Sequence, residues 1–114
     1  MAVKRTEAMI QRACLDWLNM FKKKHNIVFF RANSGAFKTA QGRYVKTGTP
    51  GLADICVIFD GTFYGVEIKT AIGKMSEAQK RFKKNIEAAG GRYVLCRSVG
   101  DLREIFEKPM EKGL

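Results

Sequence analysis

The chain has 114 residues, with 21 Lys+Arg against 11 Asp+Glu and a formal charge of +10. That length suits one domain, and at 46% hydrophobic and 11% aromatic the chain can build a core, which excludes wholesale disorder. No apolar run approaches the roughly 18 residues needed to span a bilayer, and residues 1–7 lack the apolar stretch and cleavage site of a signal peptide. The chain therefore reads as cytoplasmic. Its three cysteines, Cys14, Cys56 and Cys96, lie far apart among apolar neighbours, and the single histidine, His25, has no zinc-ligand partner. They read as reduced core residues, which excludes a disulfide scaffold, a structural zinc domain and a Cys-His hydrolase.

Residues 6–23 have helical periodicity. Ile10, Ala13, Cys14, Trp17, Leu18 and Phe21 form the apolar stripe, and Thr6 stands at the N-cap. Residues 27–31 give a short strand, broken by Asn33-Ser34-Gly35. Residues 32–51 hold four glycines and Pro50 and read as a loop or loose hairpin exposed to a ligand. Strands follow at 54–59 and 62–69, joined by Asp60-Gly61, a strong two-residue hairpin signal. A second helix spans 76–89, with Ser76 and Gln79 as a capping box and Gly90-Gly91 as its stop. A strand at 92–96 and a short helix near 101–107, ending before Pro109, complete the order. The hairpin strands are apolar on both faces, as in central strands sandwiched by helices. These elements predict a single α/β domain with a central mixed β-sheet flanked by helices, in α-β-β-β-α-β-α order.

The positive charge is unevenly placed. No acidic residue lies between Asp16 and Asp54, a stretch that holds Lys22, Lys23, Lys24, Arg31, Lys38, Arg43 and Lys46. Such a surface attracts a polyanion and releases its counterions on binding. Within it, Phe37, Lys38, Arg43, Tyr44 and Lys46 interleave aromatic and basic side chains, suited to contacting phosphates and stacking on unpaired bases. Phe37 and Tyr44 read equally well as minor core residues. A second basic group, Lys80, Arg81, Lys83 and Lys84, reads as the solvated face of the second helix, and His25 as a turn residue without a catalytic part.

The hairpin register brings charged groups together. With Asp60-Gly61 as the turn, Phe59 pairs with Thr62 and Asp54 falls opposite Glu67, their Cβ atoms about 4.5–5.5 Å apart. Lys69, two residues on, projects from the same face. Two opposed carboxylates repel, and their partial burial costs several kcal/mol unless a cation intervenes. A hard divalent ion such as Mg²⁺ takes one or two protein carboxylates and leaves positions for water and phosphate. With Lys69 to stabilise developing charge, the group meets the requirements of phosphodiester hydrolysis. The plainer reading makes Asp54 a turn cap and Glu67 and Lys69 a solvated edge.

Gly48-Thr49-Pro50-Gly51-Leu52-Ala53-Asp54, followed by Glu67-Ile68-Lys69, resembles the PD-(D/E)XK nuclease signature. The branch most resembled is the VRR-NUC family of small, often phage-borne nucleases. Arg31-Ala32-Asn33-Ser34-Gly35 and Met75-Ser76-Glu77-Ala78-Gln79 also resemble segments of that family. Three residues separate Pro50 from Asp54, so the literal Pro-Asp pair is absent. The resemblance implies a restriction-endonuclease-like fold and Mg²⁺- or Mn²⁺-dependent DNA cleavage, with Holliday junctions and other branched DNA among its substrates. It further implies Asp54, Glu67 and Lys69 as the catalytic trio and the Ile68 carbonyl as a metal ligand. Glu7 is a further candidate ligand, or a first-turn acid favoured by the helix dipole. Gln79 is a candidate for orienting water or phosphate, or simply the capping-box partner. Arg31, Asn33, Ser34, Lys38, Arg43 and Lys46 are the nucleic-acid-binding candidates. A two-fold homodimer would suit a two-fold junction. A basic DNA-binding accessory protein with a vestigial centre, or an RNA nuclease, would carry the same charge.

Overall fold

The computed structural model describes residues 4–32, 36–46 and 48–107. Helix α1 spans Glu7–Phe21 and opens on Thr6, whose hydroxyl accepts from the Met9 N–H at 3.1 Å. Its buried side chains, Ile10, Cys14, Leu18 and Phe21, recur at the spacing of one helix face. Strand β1 (Ile27–Arg31) follows, then a small hairpin of β2 (Ala36–Lys38) and β3 (Tyr44–Lys46) that forms its own two-stranded sheet. β4 (Ile55–Phe59) and β5 (Thr62–Ile68) are the anticipated hairpin. Asp60 and Gly61 both adopt positive φ, 51° and 75°, as a type I′ turn requires. The register runs from Phe59↔Thr62 to Ile55↔Val66, as the turn dictates.

Helix α2 (Glu77–Ala88) has both hydrogen bonds of its capping box, and leads to β6 (Arg92–Cys96), which pairs parallel to β5. Helix α3 (Val99–Phe106) begins two residues earlier than the sequence suggests. Its inward residues, Leu102 and Phe106, stand four apart, and Asp101 caps the Arg97 N–H from within the first turn. The result is a small α/β domain with an open, mixed four-stranded sheet, ordered β1-β4-β5-β6, and three helices. Among the described residues no helix is long and apolar enough to cross a membrane.

The core lies on one face of this sheet. Ile55, Val57, Val66, Ile68 and Cys96 pack there against Ile10, Cys14 and Leu18 of α1 and Leu102 and Phe106 of α3. The opposite face departs from the expected sandwich. α2 packs against β6, with Phe82 6.0 Å from the Tyr93 ring, and has no fully buried residue. It leaves the β1–β4 half uncovered, where Val28, Phe30 and Ile58 are exposed. Apolar content on both faces of a strand therefore does not imply a helix over both. All three cysteines are free and buried, as expected, with the Cys14 and Cys96 sulfurs in hydrogen-bonding contact at 3.4 Å.

Candidate metal centre

β4 begins and β5 ends at the same end of the sheet, because the two are antiparallel. Asp54 immediately precedes Ile55, so the ladder places it opposite Glu67. The Asp54 carbonyl accepts from the Ala32 N–H at 2.9 Å, which extends the β1–β4 pairing to this residue. Its carboxylate Oδ2 accepts from the Ile68 N–H at 2.8 Å, fixing the side chain against the end of β5. The Ile68 side chain belongs to the core, while its peptide lies beside the Asp54 carboxylate.

Glu67 is 4% exposed and is the one charged residue that is buried among those described. Both of its oxygens are held. Oε1 accepts from the Tyr93 hydroxyl at 3.3 Å, and Oε2 from Gln79 Nε2 at 2.8 Å, with Lys69 Nζ at 3.7 Å. Burial, followed by the negative charge of Asp54, pushes the Glu67 carboxyl from its ordinary 4.5 up to about 7, against the opposing pull of Lys69. Lys69 keeps only 13% of its side chain exposed, so its charge is spent locally rather than on bulk water. One cation therefore compensates two carboxylates incompletely. Each carboxylate oxygen carries a second lone pair beyond the bond it accepts. Hard oxygen donors and excess negative charge fit Mg²⁺ or Mn²⁺ bound by Asp54 and Glu67.

Gln79 is the capping-box partner expected at the start of α2, and it also reaches Glu67. Its Oε1 accepts from the Ser76 N–H at 2.8 Å, closing the capping box, and its Nε2 donates to Glu67. The start of α2 is thereby tied to the carboxylate pair. Glu7, in contrast, is exposed in the first turn of α1, not on the buried stripe. Among the described residues no three His, Cys, Asp or Glu side chains converge. Ile10, one turn later, is the first α1 residue to reach the core, which leaves Glu7 beyond it as a first-turn acid.

Tyr93 is the residue that sequence reasoning missed. It is buried on β6, and its hydroxyl lies 3.1 Å from the Gly51 carbonyl and 3.3 Å from Glu67. Burial, then the Glu67 charge, raises its own pKa. Gly65 pairs with Tyr93 across the parallel ladder, and a Cβ there would come 3.1 Å from the Ala53 Cβ and 3.3 Å from the tyrosine ring. The sequence offered one signal, a tyrosine beside the apolar run Val94-Leu95-Cys96. Tyr93→Phe is expected to keep the fold, cost about 1 kcal/mol in urea unfolding, and raise the Glu67 pKa further, read from the Glu67 carboxyl carbon by NMR titration.

The nucleic-acid candidates are less tightly organised. Arg31 is exposed at the end of β1, beside the Asp54 backbone. Lys38 and Arg43 are exposed on the β2–β3 hairpin, with Lys38 Nζ 5.9 Å from the centre of the Tyr44 ring. Tyr44 is 75% exposed, which removes its reading as a core residue. Asn33 and Ser34 lie outside the described residues, as do the side chains of Phe37 and Lys46, although Lys46 closes β3. Lys80 and Lys83 pair with Glu77 and Glu87 on α2, the solvated face expected there. His25 is exposed and stacks on Phe21, with ring centroids 4.0 Å apart.

Comparison of the chain with protein-family models, with curated proteins and with solved structures returns no match.

Proposed function

We propose that this chain is a Mg²⁺- or Mn²⁺-dependent endonuclease that hydrolyses DNA phosphodiester bonds on a restriction-endonuclease-like fold of the VRR-NUC type. The observation that carries this reading is the Asp54–Glu67 pair at one sheet end, with Lys69 beside it and Gln79 and Tyr93 fixing Glu67. Asp54 and Glu67 would hold the cation, with the Ile68 peptide adjacent. When bound, such an ion supplies Lewis acidity for attack at phosphorus. Lys69, beside Glu67, would neutralise charge gathering on the phosphate, and Gln79 holds the Glu67 carboxylate in position. The formal charge of +10, with exposed Arg31, Lys38 and Arg43, supplies attraction for the DNA backbone.

The deciding assay incubates purified protein with linear, flap and four-way-junction DNA and with RNA, with and without Mg²⁺ or Mn²⁺. Metal-dependent cutting of DNA is expected. Salt-sensitive binding without cutting would instead make the chain a DNA-binding accessory protein with a vestigial centre, and cutting confined to RNA would reassign the substrate.

The raised Glu67 pKa has a signed consequence for stability. The folded value, about 7, exceeds the ordinary 4.5, so the native state binds the extra proton. This residue's contribution is therefore complete below about pH 4.5 and is lost as pH rises through 7. In metal-free buffer, Glu67→Gln is expected to match wild type near pH 4 and to melt at a higher temperature at pH 8.5. Thermal unfolding at the two pH values checks this, and an equal gap at both would contradict it.

A further inference from the structure

β5 and β6 run parallel and end side by side, the pairing continuing from the Lys69 N–H to the Cys96 carbonyl at 3.0 Å. Beyond Lys69 the chain turns through residues 70–73, with the Gly73 N–H bonded to the Thr70 carbonyl at 3.2 Å. Arg97, just past β6, clamps that turn by donating from Nη1 to the carbonyls of Thr70 and Gly73. The space beyond the carboxyl ends of strands in an open α/β sheet is a general place for ligands. Here it holds a cavity of about 630 Å³ between the turn, Arg97 and the start of α1.

The lining of this cavity is divided by chemistry. Ile10, Ala71 and Ile72 give it an apolar wall, and Lys4, Arg5 and Arg97 give it cations. Ile72 is 79% exposed at a turn, where it serves no core. None of the three cations forms an ion pair with another described residue. The one acid on the lining is Glu7. Strand alternation turns Lys69 toward the face of the carboxylate pair and Thr70 toward the cavity. The pair and the cavity thus lie on opposite faces of the sheet, and a polynucleotide reaching both would cross the sheet end.

We propose that this cavity receives one unpaired nucleotide of the DNA strand being cut, its base against Ile10, Ala71 and Ile72 and its phosphate among Lys4, Arg5 and Arg97. The volume lies in the range of small-molecule sites and accommodates a nucleotide. An apolar wall gains only from a base face, and a base in a duplex has both faces stacked on its neighbours. The cations select the phosphodiester. Glu7 repels a phosphate and accepts from an exocyclic amino group, which orients the base inward. The proposal rests on the nuclease reading, because it needs a DNA strand that crosses the sheet end from the carboxylate pair.

The test measures binding in EDTA, where no cleavage occurs. Its substrates are a forked duplex carrying one unpaired 2-aminopurine nucleotide at the branch and a blunt duplex of equal nucleotide count. Wild type is expected to bind the fork at least about fivefold more tightly and to change the 2-aminopurine fluorescence. Ile72→Ser, at an exposed turn, and the double variant Lys4→Ser/Arg5→Ser are each expected to abolish that preference. Equal affinity of wild type for fork and duplex would overturn the proposal, as would a preference that survives in both variants. Because EDTA removes the metal, failure here leaves the nuclease reading to the separate metal-dependent cleavage assay.

Discussion

Replacing Asp54 with Asn or Glu67 with Gln is expected to lower Mg²⁺-supported DNA cleavage by at least about 10³-fold, while DNA binding in Ca²⁺ persists. Each substitution keeps the shape of the side chain and removes one negative oxygen donor. In Glu67→Gln the amide can still meet Gln79 and the Tyr93 hydroxyl, so the site keeps its packing while losing the charge that would hold a cation. The variant is also expected to fold at least as well as wild type at neutral pH, since it removes a buried carboxylate pressed against Asp54. Lost activity in a protein of undiminished stability separates chemistry from folding. Steady-state cleavage alongside thermal unfolding reads both quantities, and wild-type activity in either variant would refute the assignment.

Gly51→Ala is expected to damage both stability and activity, from one steric conflict. Gly51 has φ +79°, and a Cβ there would stand 2.2 Å from the Ala78 carbonyl oxygen and 2.6 Å from its carbon. Both are backbone atoms of the first turn of α2, so no flexible side chain can yield. The loop before Asp54 and the helix carrying Gln79 must separate, which also strains the Tyr93 bond to the Gly51 carbonyl. We expect a loss of at least about 2 kcal/mol in urea unfolding and a marked fall in cleavage. Gly42→Ala is the control. Its φ is +84° with open space around it, so only the backbone cost of about 1–2 kcal/mol applies, and cleavage is expected to survive. Equal penalties in the two variants would show that the contact with α2 contributes nothing.

The contrast between these sites shows what the sequence could tell. Asp60-Gly61 demanded a two-residue turn, and from that local fact the placing of Asp54 against Glu67 followed by counting. Ser76 and Gln79 announced the start of α2 in the same way. Tyr93 was hidden because its contact depends on a parallel register, Gly65↔Tyr93 and Glu67↔Leu95, reached only after a helical crossover. No short-range rule sets that register. Glu7 stands three residues before Ile10, at the spacing of the buried stripe, yet it is exposed because the core does not extend to the first turn of α1. Ile58, on the outer face of the hairpin, misled because periodicity reports which side chains share a face and not what covers it.

Titration calorimetry with Mn²⁺ tests the account at its base. Wild type should give a saturable binding event that strengthens as pH rises through about 7, where Glu67 ionises, and that disappears in Asp54→Asn and in Glu67→Gln. A wild-type protein that binds no Mn²⁺, or variants that bind it as wild type does, would contradict a cation shared by these two carboxylates.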